Sequence, residues 1–360
     1  MASESCFYNK NLEFLRYSMG ISEECPSLTE VEWKDLYSFC IKQSLVGIAF
    51  SGMVRIDANQ KPPFDLLMQW IGFAEQIESA NRILNEKTAE LQILFKDAGF
   101  GVCILKGQGN ALMYPNPLRR QSGDIDIWVH GRTKDIIAFL KTKCDLSQKV
   151  VGYHHTEFPI WNDIEVEVHW RPSWQSSPIH NHRLQKWFNS HSGETCVKEG
   201  LTVPTWEFNV VYQLQHMFLH VLQEGLGLRQ VMDYYYLLKS EDREDKISFE
   251  NTLKWLGLYP FAGAMMYVLK KVFSLDDKFM IATMNERKGK FLLEEILQSG
   301  NFGRLDERNV GMLKLSGIQR SLARVKRSLR FLKEYPEEVL CAPFQIYHLI
   351  WRKLRLWRFE

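Results

Sequence analysis

The chain is expected to fold as an α+β protein in which a small mixed sheet is flanked by N-terminal and C-terminal helical regions. Three observations lead there. Apolar residues recur at three- and four-residue spacing through the first hundred positions and again after Thr205, the signature of amphipathic helices. Between these stretches the period drops to two over 124–129 and 164–170, as in half-buried strands. A short apolar run, Val102-Cys103-Ile104-Leu105, ends on Lys106-Gly107 and reads as a buried strand entering a turn. The expected division is a helical region over 1–98, an α/β core over 99–204 and a helical region with a basic tail over 205–360.

The elements follow in order. Ser27 and Glu30 have capping-box spacing ahead of a periodic run through Val31, Trp33, Leu36, Tyr37 and Cys40. Pro62-Pro63 breaks the chain, and 64–98 reads as one long helix stopped by Gly99 and Gly101. A short helix is expected over 109–114, halted by Pro115 and Pro117. Strands follow over 124–129, 150–161 and 164–170, the last two joined by a tight turn at Asn162-Asp163. Thr133 is expected to cap a helix running to about 143. A surface segment rich in Ser, Pro and His covers 171–182. Helices are expected over 206–223, 228–240, 249–256, 261–273, 289–299, 318–334 and 337–356.

Composition narrows the function. Hydrophobic residues at 45% and charged residues at 24% match ordinary globular proteins, which argues against a disordered chain. The most apolar stretch, 45–54, falls far short of the ~20 residues a membrane helix needs, so no membrane span is expected. The start, MASESCFYNKNLEF, shows neither a basic nor an apolar signal region. The seven cysteines are scattered, odd in number and never spaced CxxC, which disfavours a zinc site or a disulfide framework and fits a reducing cytoplasm. A net charge of +2 is too weak to imply nucleic acid. Charge is uneven, however: 319–360 carries ten Lys and Arg against four Glu. Its alternation with Leu, Phe and Trp suggests a helix packed on the body, with its basic face a candidate contact surface.

The chemistry concentrates in Gly123-Asp124-Ile125-Asp126-Ile127-Trp128-Val129. On a strand, Asp124 and Asp126 share one face while Ile125, Ile127 and Val129 share the other. Two carboxylates side by side repel, and a divalent cation resolves that conflict. Mg²⁺, which prefers oxygen ligands and often bridges carboxylates to substrate phosphates, suits them, with Mn²⁺ as a substitute. Ile164-Glu165-Val166-Glu167-Val168-His169-Trp170 repeats the pattern, with Glu165, Glu167 and His169 on one face. Paired beside the Asp strand, it brings a third carboxylate to the same cations and completes a two-metal arrangement for phosphoryl transfer. Upstream, Lys106-Gly107-Gln108-Gly109 lies between strand and helix, where glycines let backbone N–H groups approach phosphate oxygens.

The order KG, then GDIDIWV, then EVEVHW resembles the DNA polymerase β-type nucleotidyltransferase superfamily. Within it, the chain is most similar to a bacterial family of uncharacterised nucleotidyltransferases. The blocks that carry the likeness are LKGQGNALMYPNPLRRQSGDIDIWV (105–129), HH…VEVHWRPS (154–173) and HMFLHVLQEGLGLRQVMDYYYLL (216–238), with RFLKEYPEEVL (330–340) beyond. The resemblance implies a polymerase β-type core, Asp124 and Asp126 as metal ligands, Glu167 as the third acid and Lys106-Gly107 as the phosphate-side turn. The superfamily's usual turn is Gly-Ser; here Lys106 takes the place of the serine hydroxyl as a point charge.

Further candidates surround this centre. Gln108, Arg120, Ser122 and Gly123 join Lys106 and Gly107 as nucleotide-binding candidates, and His155, His169 and Arg171 as substrate contacts or supports of the acids. His216 and His220, one helical turn apart, lack an HExxH glutamate and read as packing. Arg229 and Asp233 read as an i,i+4 ion pair on a helix that borders the cleft. The expected activity is Mg²⁺-dependent transfer of a nucleoside monophosphate from an NTP such as ATP to an acceptor, with release of pyrophosphate. A small molecule, RNA and a protein all stay open as acceptor. The alternative is a nucleotide- or partner-binding protein that keeps the fold without turnover.

Overall fold

In the computed structural model, residues 2–147, 149, 151–241, 246–309, 315 and 317–343 are described. Helices α1 (Ala2–Ser18), α2 (Glu30–Gln43), α3 (Val46–Met53) and α4 (Phe64–Asp97) form the N-terminal part. Strand β1 (Gly101–Ile104), one-turn helix α5 (Gln108–Ala111), β2 (Ile125–His130), α6 (Thr133–Lys141), β3 (His155–Glu157) and β4 (Val166–His169) follow. Then come α7 (Pro178–Ser190), the hairpin β5 (Thr195–Lys198) and β6 (Leu201–Pro204), and α8 (Trp206–Gln223), α9 (Leu228–Lys239), α10 (Lys246–Trp255), α11 (Tyr259–Phe273), α12 (Glu286–Ser299), α13 (Gly317–Ser328) and α14 (Pro336–Cys341). The mixed α+β class is as expected. Of the basic helix anticipated over 337–356, the part over 344–356 lies outside the described residues.

Helix starts follow local chemistry. The capping box of α2 uses Thr29 and Glu32, two residues later than expected; the Thr29 amide donates to Glu32 Oε2 at 2.8 Å. Both Ser27 and Thr29 carry a glutamate three residues on. The later start is the one whose helix buries Trp33, Leu36, Phe39 and Cys40. Helix α4 begins after Pro63 and buries Leu66, Trp70, Ala74, Ile77, Asn81, Leu84, Thr88, Leu91 and Phe95, a stripe at helical period. Asn81 in that stripe donates to the carbonyls of Leu118 and Arg120, both at 2.7 Å, and so ties the β1–β2 connection to the helix.

The main sheet has the order β1-β2-β4-β3. β1 and β2 are antiparallel, β2 and β4 parallel, β4 and β3 antiparallel. One face, with Val102, Ile104, Ile125, Ile127, Val129, Val166 and Val168, packs on Leu84, Leu91 and Phe95 of α4 and on Ile136 and Leu140 of α6. The opposite face sends Cys103 and Trp128 into a larger helical core, where the Trp128 ring stacks on Phe208 at 5.3 Å. The sheet therefore separates two apolar cores, and the acids lie on the helical side.

Three strand expectations change. The strand expected over 150–161 shrinks to β3 because Pro159, with no N–H, ends the ladder; Val150 lies outside the described residues. The link from β3 to β4 spans 158–165 and is longer than an Asn162-Asp163 turn. Asp124 precedes β2 rather than opening it. The segment expected as surface over 171–182 already enters α7, whose cap is Ser177, accepting from the His180 amide.

Candidate functional site

The parallel register sets Asp126 directly beside Glu167 and Trp128 beside His169, so two acids from strands forty-one residues apart in sequence share a face. Asp126 is 1% exposed and His169 2%. Asp126 Oδ1 accepts from Lys106 Nζ at 3.0 Å and from His169 Nε2 at 2.9 Å. Asp126 Oδ2 is buried and meets no hydrogen-bond donor among the described residues. His169 Nε2 also lies 3.3 Å from Glu167 Oε2, and His155 Nε2 lies 3.7 Å from Glu167 Oε1.

The charges are mutually dependent. Burial pushes the Asp126 carboxyl up, but the Lys106 ammonium and the His169 bond outweigh it and hold the carboxyl below its ordinary range. Burial acts likewise on Glu167, which the His169 bond and His155 bring down to about 2. His169 would lose its proton on burial alone; the bonds to Asp126 and Glu167 raise it to about 9. His154, His155 and His216 go the other way, with burial the largest cause for each.

One cleft gathers Lys106, Gly107, Asp124 and Asp126 with His216, Arg229 and Phe302. Asp124 stands in its lining, half-buried, and belongs to neither of the two three-residue groups whose ligand atoms lie within 4.8 Å of one another. Those groups are Asp126, Glu167 and His169, and His154, His155 and His169. Lys106 Nζ also donates to His216 Nε2 at 3.0 Å, so His216, read as packing, is instead a direct neighbour of the turn lysine. A hollow of about 300 Å³, walled by Trp187, Trp206 and Phe249, shares no residue with this cleft.

Several candidates are engaged differently than expected. Arg120 is 3% exposed, and its guanidinium grips Asp233 with two bonds of 2.7 Å while donating to Ser122 Oγ at 3.0 Å. Its fork is therefore filled by a carboxylate rather than open for phosphate. Asp233 also accepts from Tyr114 at 2.6 Å and Asn110 at 3.3 Å, so its partner is Arg120 across the fold and not Arg229 one turn away. Arg229 donates to the Gln121 carbonyl at 2.7 Å and borders the cleft. Gln108 is buried and donates to Asn85 on α4, away from the cleft. Arg171 donates to the Tyr153 carbonyl at 2.7 Å and lies over that residue's ring. Gly123 is exposed, with nothing near its Cα face. Glu165 precedes β4, is exposed, and its carbonyl accepts from the Ile125 amide. The cleft contribution of Phe302 had no sequence signal, since it comes from a residue with φ +55° in a short turn after α12.

Gly107 adopts φ +53° and ψ −112°, a region open essentially to glycine, and a Cβ there would meet the Asp124 carbonyl at 3.1 Å. Gly107→Ala is expected to cost about 1–3 kcal/mol and to displace the Lys106 turn from the Asp124 strand entry. Urea unfolding measures the cost; an unchanged midpoint would contradict the strained turn.

The buried imidazoles also predict a pH response. With its folded value below the ordinary 6.5, His216 takes up a proton later than in the unfolded chain. Its contribution is complete above about 6.5 and shrinks as pH falls, by up to about 1.4 kcal/mol per pH unit. His154 acts in the same sense. His169 acts oppositely, stabilising below 6.5 and fading as pH rises through about 9. The urea midpoint should therefore decline on acidification below about 6.5. His216→Gln should flatten that decline, and an identical slope in the variant would count against the assignment.

The acids thus lie on one face of a small mixed sheet, with a lysine–glycine turn beside them. The family model described as uncharacterised nucleotidyltransferase matches residues 29–274, more than half of the chain, and the protein belongs to that family. Membership supports a transferase and points to a nucleotide as its substrate. No curated protein and no solved structure matches the chain. No helix of the described residues is long and apolar enough to cross a membrane.

Proposed function

We propose that the protein is a Mg²⁺-dependent enzyme of the polymerase β type that moves a nucleoside monophosphate from an NTP to an acceptor hydroxyl or phosphate and releases pyrophosphate. The observation that carries this reading is the juxtaposition of Asp126 and Glu167 on neighbouring parallel strands, with Asp124 in the lining of the same cleft. The oxygen donors fit a divalent cation: the buried Asp126 Oδ2 has no hydrogen-bond partner among the described residues, and Glu167 stands beside Asp126 in the parallel register. Asp124, Asp126 and Glu167 would hold it. When bound, such a cation neutralises phosphate charge and lowers the pKa of an attacking hydroxyl.

The chain's own groups have separate tasks in this reading. Glu167, beside Asp126 on β4, would help hold the cation that lowers the acceptor's pKa and would take its proton. Lys106, bonded to Asp126 and His216, supplies the point charge nearest the acids for phosphate oxygens. Gly107 lets the backbone turn sharply beside the Asp124 carbonyl. Incubation with α-labelled NTPs and a panel of small-molecule, RNA and protein acceptors tests the proposal. Asp124→Ala combined with Asp126→Ala should abolish label transfer, and transfer surviving in that variant rejects the site.

A second reading has its own observation. Lys106 and His169 both already neutralise Asp126 Oδ1, as a protein that binds nucleotide without turnover would arrange. Calorimetry with NTP and Mg²⁺ separates the two, since this alternative requires binding with no pyrophosphate released.

A further inference from the structure

Beyond the acids, three imidazoles crowd the start of the β3–β4 hairpin. The rings of His154 and His155 lie 4.2 Å apart, those of His155 and His169 5.0 Å, and those of His154 and His169 5.7 Å. His155 Nδ1 is 2.8 Å from His154 Nε2, a hydrogen bond in which one ring donates and the other accepts. One nitrogen from each of the three rings falls within 4.8 Å of the other two.

His169 adds an independent observation. Its Nε2 is engaged by Asp126 and Glu167, while its Nδ1 is buried and has no hydrogen-bond partner among the described residues. A buried polar nitrogen left without a partner costs about 1–3 kcal/mol. Apolar side chains would fill this corner of the sheet at less cost, and Trp174, whose ring lies 6.3 Å from that of His154, shows that bulk is available nearby.

Imidazole nitrogen is a poor ligand for Mg²⁺, which takes oxygen, and a good one for Zn²⁺ and its first-row neighbours. Three histidines with an open fourth position are a known catalytic zinc donor set. We propose that His154, His155 and His169 form a transition-metal site adjoining the acidic centre, taking a Zn²⁺-like ion through ring nitrogen, with Glu167 as the neighbouring carboxylate. The charge of an ion here is favoured by the Asp126 and Glu167 carboxylates and opposed by Lys106 and His169. Arg171 is held aside by the Tyr153 carbonyl and ring.

This site rests on the rings and not on nucleotidyl transfer, and its test is chosen to fail separately. Co²⁺ is titrated into the metal-free, full-length protein without nucleotide, and visible d–d absorption is followed. Wild type should develop saturable bands that Zn²⁺ bleaches, and Zn²⁺ should raise its melting temperature. His154→Asn and His155→Asn should each weaken Co²⁺ binding by more than about 100-fold, beyond what loss of an outer partner costs. Asp124→Ala should lose label transfer but keep the bands. Absence of bands in wild type overturns the proposal, whatever the variants do. So does undiminished Co²⁺ binding in both histidine variants, which would put the ion on Asp126, Glu167 and His169 instead. Circular dichroism and apo-protein melting confirm that the variants are folded before their binding is read.

Discussion

Asp126→Asn is expected to reduce nucleotidyl transfer by about 1,000-fold or more while leaving the chain folded. The change removes one charge and keeps the shape. Lys106 and His169 still find an oxygen at the end of β2, so the contacts at 3.0 and 2.9 Å survive in neutral form. What disappears is the charge on the unpartnered Oδ2, the oxygen that suits a cation. Electrostatic stabilisation by such a centre is worth several kcal/mol, and each 1.36 kcal/mol is tenfold in rate. Pyrophosphate release and label transfer are measured beside the melting curve. Transfer within about tenfold of wild type would show that Asp126 holds no reacting group. Glu167→Gln should fall in the same direction, with the acceptor step affected most, because Glu167 is the acid assigned to the acceptor's proton.

Asp233→Ala should be the most destabilising single change in the cleft wall, at about 3–5 kcal/mol. The carboxylate is buried among Arg120, Tyr114 and Asn110. Burial alone would push it up; the Arg120 charge and bonds outweigh this and hold it below the usual range. Its stabilisation is therefore complete above the ordinary aspartate value and is lost as pH falls through the lower folded one. Truncation leaves the Arg120 guanidinium buried and uncompensated, which is the costly part. Asp233→Leu with Arg120→Met removes both charges and should recover most of the loss. Urea unfolding of the two variants decides. A double variant as unstable as Asp233→Ala would show that packing, and not the unpaired charge, sets the cost.

That pair also shows where sequence reading runs out. Most helices, α7 excepted, and both acid-bearing strands were legible because their periods, 3.6 and 2, survive in any window of a dozen residues. The neighbouring acids were legible because alternation puts them on one face. Arg120 next to the acidic strand looked like a phosphate clamp, and only the fold brings Asp233, 113 residues later, into its fork. Gln108 was drawn to Asn85 for the same reason. Neither engagement was legible, because a long-range partner leaves no local periodicity. The start of α2 was misread by two residues because two overlapping capping signals compete and tertiary burial chooses. The β5–β6 hairpin went unread because Thr195–Lys198 is short and nowhere more than half-buried.

The parallel docking of β4 on β2 has a consequence for how the protein comes into being. Antiparallel β3 and β4 meet through a link of eight residues, but β2 reaches β4 only across the whole connection from 131 to 165. Pairings so distant along the chain form late, because the entropy of closing the loop comes before any reward. A ribosome-bound or refolding chain would thus own its helices and its hairpin before Asp126 met Glu167. Under the proposed function such a molecule stays chemically silent until its last sheet contact closes, and return of label transfer during refolding would clock that closing step.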